Sequence, residues 1–503
     1  MRNLLEIARV LTRKKIAKIE ILDEQVLKQK DSKFGKFYEG LLTGKIENDH
    51  DAAALLYDNS DPGDAKYRQL KSRFRRRLLN TLFFVDINTP LASSYDQAYF
   101  NLNKEWSLVE ILLTYNATTA AAGLCRQILT TALKFNFTEL IVKAARQLRE
   151  QAVLETDEKA FAIQNALVQQ YMPILEAEVK AEQYSMEVRE IYHRAVHPQN
   201  SVHEIERLAN CLVHLSEKPG SPKIQYHMFE VWTLYYEVTH DYEGVLEVCH
   251  NAINYLQAQE DLFSDKKKLV FAGKMLAAYL HLNEYEAGKT HAEQTLSKLT
   301  EDIPEWIDFM EIYMLLSLRN NHIIHSIAIF NKVTGSAAFK NLEEDYREKW
   351  DLFEATLHYL IEKNGTNPLL LPRQRRKGFK LSDFITRPVH YPPRLASLAI
   401  QRLTLQILFL WQRRSYTGIS ERIEQLRKLA KYELKKEGYE RAYAFVKLLS
   451  TVEKADFQFK KAKNLEKTLQ QLHELPYTYR GRIWELEVLP YEKWWELCSK
   501  YVN

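Results

Sequence analysis

The chain has 503 residues, 46% of them hydrophobic and 27% charged, with a formal net charge of +4. Such a chain folds around two or three packing units, and any attraction to nucleic acid or membrane must come from local clusters of charge. Glycine occurs only 15 times, and neither GxGxxG nor GxxxxGKS/T is present. This argues against the nucleotide enzymes of the parallel-sheet classes, whose phosphate loops need glycine.

The opening stretch, MRNLLEIARVLTRKKIAKIEIL, scatters charge among its apolar residues and lacks the unbroken apolar run of a secretory leader. Four cysteines stand far apart with no CxxC pair, which points to a reducing compartment and a cytoplasmic protein. SKFGKFYEGLLTG (32–44) and NDHDAAALLYD (48–58) read as helices, and NSDPGDA (59–65) as a turn. KYRQLKSRFRRRLLNTLFF (66–84) follows, with seven basic side chains and no acidic residue between Asp64 and Asp86. As a helix it gathers Tyr67, Leu70, Phe74 and Leu78 into an apolar stripe and turns Arg68, Arg73 and Arg76 outward, with Lys71 and Arg75 at the border. Helix, short helix, turn, basic helix is the order of a helix-turn-helix unit. AALLYDNSDPGDAKYRQLKSRFRRRL also resembles the winged-helix end of bacterial activators that fuse such a domain to tetratricopeptide repeats, although FFVDINTPL stands where a glycine-bearing wing would be. Residues 1–90 are therefore expected to form an N-terminal helical unit.

From 91 to 362 the pattern is of paired helices. VWTLYYEVTHDYEGVLEVCHNAINYL (231–256) and MLAAYLHLNEYEAGKTHAEQTLSKL (275–299) align with Tyr242 on Tyr285. Ala278, Leu282, Tyr285, Ala292 and Leu296 fall near the small, large and aromatic positions of the tetratricopeptide repeat, which the second segment resembles. A lone helical hairpin cannot bury its apolar face, so neighbouring hairpins are expected to stack into a solenoid. The resemblance implies that the first helix of each pair lines a concave surface, with Tyr235, Tyr236, Tyr279 and Asn283 as candidate partner-binding residues. The run Ala120, Ala121, Ala122 and Gly123 reads as a close helix contact.

Residues 363–394 hold five prolines and a basic run, RQRRKGFK, and read as a connector in which Arg375 and Arg376 are further candidates for phosphate contact. LASLAIQRLTLQILFLW (395–411) is interrupted by polar residues and too short for a membrane span, so it reads as a buried helix opening a C-terminal bundle, 395–503. Trp484, Trp494 and Trp495 surround Pro490 and read as an aromatic cap over the last helices. AKIEIL (17–22), LFFVDI (82–87) and LEVL (486–489) are the only strand candidates. The basic helix and LEVLPYEKWWEL together give the chain a resemblance, along its full length, to a group of uncharacterised Bacteroidota helical-repeat proteins; it implies no catalytic residue.

His193 with His197, and Cys211 with His214, have zinc-ligand spacing on helices, but nothing in the sequence brings the two pairs together. No metal, cofactor or catalytic constellation is read. The expectation is an all-α, non-enzymatic scaffold of helical repeats that binds a protein or peptide and does not enter a membrane. The alternative is a nucleic-acid-binding regulator that uses the basic helix.

Overall fold

A computed structural model describes Leu4 and residues 33–57, 61–83, 93–194, 197–217, 221–259, 262–263, 265–299, 304–340, 342–364, 379–389, 391–392, 395–432, 434, 438–458, 462 and 464–500. Among these residues the chain is all-α and contains no strand. It forms two compact units, Met1–Val168 and Gln169–Asn503.

In the first unit, α1 (Lys33–Leu42), α2 (Asp49–Leu56) and α3 (Ala65–Leu82) share one core. Asn48 starts α2 with a reciprocal capping box, its side chain accepting from the Asp51 N–H while Asp51 accepts from the Asn48 N–H. Asp64 caps α3 through the Lys66 N–H. The stripe read from the sequence is the buried one: Tyr67, Leu70, Phe74 and Leu78 all face inward, and Phe74 stacks on Phe37 with ring centroids 4.5 Å apart. Lys71 bridges to Asp49 at 2.6 Å, and the Tyr67 hydroxyl donates to the same carboxylate at 2.5 Å. Burial pushes the Asp49 carboxyl upward, but the Lys71 and Tyr67 contacts prevail and hold it below its usual range.

The unit continues with α4 (Ser94–Thr114), α5 (Thr118–Lys134), α6 (Thr138–Leu154) and the start of α7 (Glu158–Arg194). One turn joins each to the next. Asn116, Asn136 and Thr156 sit at positive φ, and the N–H of the following residue closes onto a carbonyl of the preceding helix: Ala117 onto Leu112, Phe137 onto Ala132, Asp157 onto Ala152. This left-handed helix end usually falls to glycine, and asparagine is the best substitute. The scarcity of glycine therefore did not leave the chain without tight turns. Of the small-residue run, Ala121 and Ala122 are buried, whereas a Cβ at Gly123 would meet open space.

The second unit comprises the rest of α7, then α8 (Val202–Ser216), α9 (Pro222–Val238), α10 (Tyr242–Ala258), α11 (Asp265–Leu282), α12 (Tyr285–Leu296), α13 (Pro304–Arg319), α14 (Ile323–Gly335), α15 (Ala337–Lys340), α16 (Glu344–Asn364), α17 (Leu381–Thr386), α18 (Ala396–Gln412), α19 (Tyr416–Tyr432), α20 (Glu440–Lys454), α21 (Leu465–Glu474) and α22 (Tyr491–Ser499). The same turn closes the pairs α9–α10, α11–α12 and α13–α14, at His240, Asn283 and Asn321. Most of these helices pack on a chain neighbour, and α11 also packs on α13, α14 on α16 and α16 on α18.

One hydrophobic cluster runs from Leu269 to Cys498. Phe384 and Ile385 of the expected connector belong to it, as do α16 before them and α18 after them. α18 is buried around its whole circumference from Ala396 to Trp411, with Arg402 paired to Glu348. Among the described residues no helix is long and apolar enough to cross a membrane.

Candidate functional site

The stretch LPYTYRGRIWELEVLP, 475–490, links α21 to α22 without joining either. Pro476 and Pro490 bracket it and resist helix, and Gly481 turns it at φ +83°. A short 3-10 turn, Ile483–Glu485, leads into its LEVL end, which is extended at Leu486, bends at Val488 and Leu489 and pairs with no strand, correcting the strand expectation. Extended backbone buried in a protein must find partners for its peptide groups, and here side chains supply them. Arg319 donates to the Glu487 carbonyl at 3.1 Å, Ser397 to the Ile483 carbonyl at 2.5 Å, and the Gln401 side-chain oxygen accepts from the Val488 N–H at 3.3 Å. His281 Nε2 faces the Tyr479 carbonyl at 3.5 Å. In return Arg482 donates to the Tyr192 carbonyl at 2.5 Å, and the Tyr479 hydroxyl donates to Glu311, itself paired with Lys349. His281, Glu311 and Arg319 all come from the first helices of their pairs.

Beside this stretch lies a cleft of about 440 Å³. His240, Tyr242 and His281 form one wall, Glu440 and Arg441 another, and Arg480 belongs to the crossing stretch. Arg441 is held by Glu487 at 2.7 Å and Glu492 at 2.8 Å, so its charge is spent on the fold. The Tyr242 and His281 rings stack 4.2 Å apart. Burial, reinforced by the Arg319 charge, pushes His281 down to about 3, so its imidazole is neutral and can donate to a carbonyl. His240 is also lowered, by burial first and Arg480 second. Gln199 reaches His240 at 3.0 Å, and His197 reaches Glu440 at 3.2 Å. The cleft therefore presents neutral polar side chains beside the paired charges of Glu237, Arg441 and Arg480 and the half-exposed carboxylate of Glu440, a lining suited to peptide groups.

The residues singled out in the sequence are placed as follows. Tyr236 and Tyr279 occupy equivalent positions before the His240 and Asn283 turns, and each lies against a glycine of the following helix, Gly244 and Gly288. Tyr235 is half-buried with its ring against Trp232, and Asn283 is the exposed left-handed turn residue. The cleft and the extended stretch instead use Tyr192, Glu237, His281, Glu311 and Arg319. Arg68, Arg73 and Arg76 are exposed in the first unit, and no carboxylate among the described residues pairs with them. Arg375 and Arg376 lie outside the described residues, as do AKIEIL and the side chain of Trp484. Trp494 and Trp495 are buried in the core.

Among the described residues no group of three or more histidine, cysteine or acidic side chains is arranged to hold a metal ion. Burial pushes the Cys125 thiol up to about 11 and that of Cys249 up to about 12, which disfavours the thiolate a nucleophile needs. Proline-bracketed, alternating sequence was the available signal for the crossing stretch; nothing in the sequence tells which helices it meets. No family model, curated protein or solved structure matches the chain.

Proposed function

We propose that the chain is a non-enzymatic, tetratricopeptide-like solenoid scaffold that binds an extended peptide or protein segment in the cleft of its second unit. One observation carries this reading. Arg319 and His281, on the first helices of two pairs, together with Ser397 on α18, already hold the irregular stretch 475–490 by side-chain contacts to its main chain. A surface that reads peptide groups in this way accepts a second extended chain beside the first. The cleft offers the uncharged polar side chains Gln199 and His240 to it. The four cysteines are free thiols, which supports a reducing, cytoplasmic setting.

The test is selection of displayed random peptides on the full-length protein. Enrichment is expected, with binding lost by about tenfold, equivalent to about 1.4 kcal/mol, when Gln199→Ala and Glu440→Lys are combined. Peptides that bind the double variant equally well, or no enrichment, would sink the proposal.

A further inference from the structure

We propose that α3 is a groove-reading helix for duplex DNA, with cations on both of its edges gripping the two phosphate backbones and a polar line between them facing base edges. Two of the seven basic residues at 66–84 are used to hold α3 in its unit: Lys71 on Asp49, and Arg77 over the Phe34 ring at 4.8 Å. The other five are exposed. Stepping about 100° per residue sorts the exposed half of the helix into three lines. Arg68 and Arg75 lie along one edge, and Lys66 and Arg73 along the other. Between them run Gln69, Ser72, Arg76 and Asn80, with Leu79 beside the Arg68 edge, all exposed.

A helix about 10–12 Å across fills a major groove about 12 Å wide, so its two edges meet the two backbones. The central line is then aimed at the bases, and it includes side chains that make paired contacts there, arginine with guanine and glutamine and asparagine with adenine, while Ser72 can bond either and Leu79 can meet a thymine methyl. α3 itself carries no carboxylate to repel phosphate.

A membrane surface fits less well, because the apolar stripe that would enter it is already buried in the core of the first unit. A-form RNA hides its major groove from a helix. An unstructured acidic partner would give no reason for amides along the centre.

Full-length protein is titrated into a labelled mixed-sequence DNA duplex of about 20 base pairs, with anisotropy read from about 50 to about 200 mM salt. Four phosphate contacts predict about 150-fold weakening across that range. Replacing Lys66, Arg68, Arg73 and Arg75 together by alanine removes most of that dependence. Replacing the exposed Lys159, Lys298 and Lys467 by alanine leaves it in place. Selection from randomised duplexes returns a short motif with the wild type, and the motif is lost with Gln69→Ala, Arg76→Ala and Asn80→Ala combined. All the substituted positions are exposed, so an unchanged circular dichroism spectrum accompanies each variant. The proposal is overturned by no binding at the lowest salt, by equal binding of the edge variant, by a motif that survives the central variant or never appears, or by preference for single-stranded DNA, duplex RNA or phosphatidylserine vesicles.

Discussion

The outer face of α3 in the first unit and the core of the second handle arginine and lysine in opposite ways. In the first, α3 keeps Arg68, Arg73 and Arg76 in water, with no carboxylate among the described residues within ion-pair distance. In the second, Lys349 is paired with Glu311, Arg402 with Glu348, and Arg441 with Glu487, and Lys349 is only 1% exposed. A solvated charge costs the fold little and stays available to a ligand. A buried charge is tolerated only with its partner, because desolvation costs several kcal/mol per ion. The same residue types therefore make a surface in one unit and fix the internal register in the other.

The largest effect expected from this contrast comes from splitting a buried pair. Lys349→Met leaves Glu311 buried with the Tyr479 hydroxyl as its remaining partner. The second unit should lose about 3–5 kcal/mol. Lys349→Met with Glu311→Leu removes both charges and should recover most of that loss. Urea unfolding followed by tryptophan fluorescence checks it, since of the eight tryptophans only Trp106 lies in the first unit. Arg73→Met, on the exposed face of α3, should change stability by under about 0.5 kcal/mol. Equal losses from Lys349→Met and Arg73→Met would dissolve the distinction between the two units.

Periodicity carried much of the fold. The inward face of α3, the burial of α18 and the paired helices of 231–299 were legible because apolar spacing reports directly which side of a helix is covered. The turns were only half legible. Asn116, Asn136, Asn283 and Asn321 are residues that tolerate positive φ, but Thr156, His240 and Arg414 occupy the same conformation without that signal. The cleft was not legible at all. Its contacts join Tyr192 to Arg482, His281 to Tyr479, and Arg319 to Glu487, residues distant in sequence. No local pattern encodes such long-range pairs. On the helices that the first-helix rule names, Tyr236 and Tyr279 turn toward glycines while His281 turns to the cleft.

A second, smaller difference between the units is acid sensitivity. The first unit contains a single histidine, His50, whereas the second contains His281, with its imidazole pushed down to about 3. The unfolded chain binds a proton there near pH 6.5, and the folded chain does not until far lower pH. The contribution to stability is therefore complete above about pH 6.5 and is lost progressively as pH falls toward 3. By pH 5 the second unit should be weaker by on the order of 2 kcal/mol. Urea midpoints at pH 7.5 and pH 5 measure this, and His281→Gln should remove its share of the difference, while His358, pushed down to about 4 by burial, keeps its own. An unchanged pH dependence in His281→Gln would remove His281 as its source.

The smallest effect concerns the turns of the first unit, where three equivalent positions carry two kinds of residue. Asn116 and Asn136 suit the left-handed region, but Thr156 is β-branched and holds φ at +55°. Its hydroxyl donates to the Glu155 carbonyl at 2.7 Å, an exposed bond that water replaces at little cost. Glycine at this position relieves the Cβ clash, while loosening the unfolded chain cancels part of the gain. Thr156→Gly should thus stabilise the first unit by about 0.5–1 kcal/mol, and Asn136→Gly by less, because asparagine is already close to relaxed there. Thermal unfolding of the two variants side by side ranks them. The reverse ranking would mean that the three turns are not held at the same backbone conformation, and the regular α4–α7 succession would lose its physical basis.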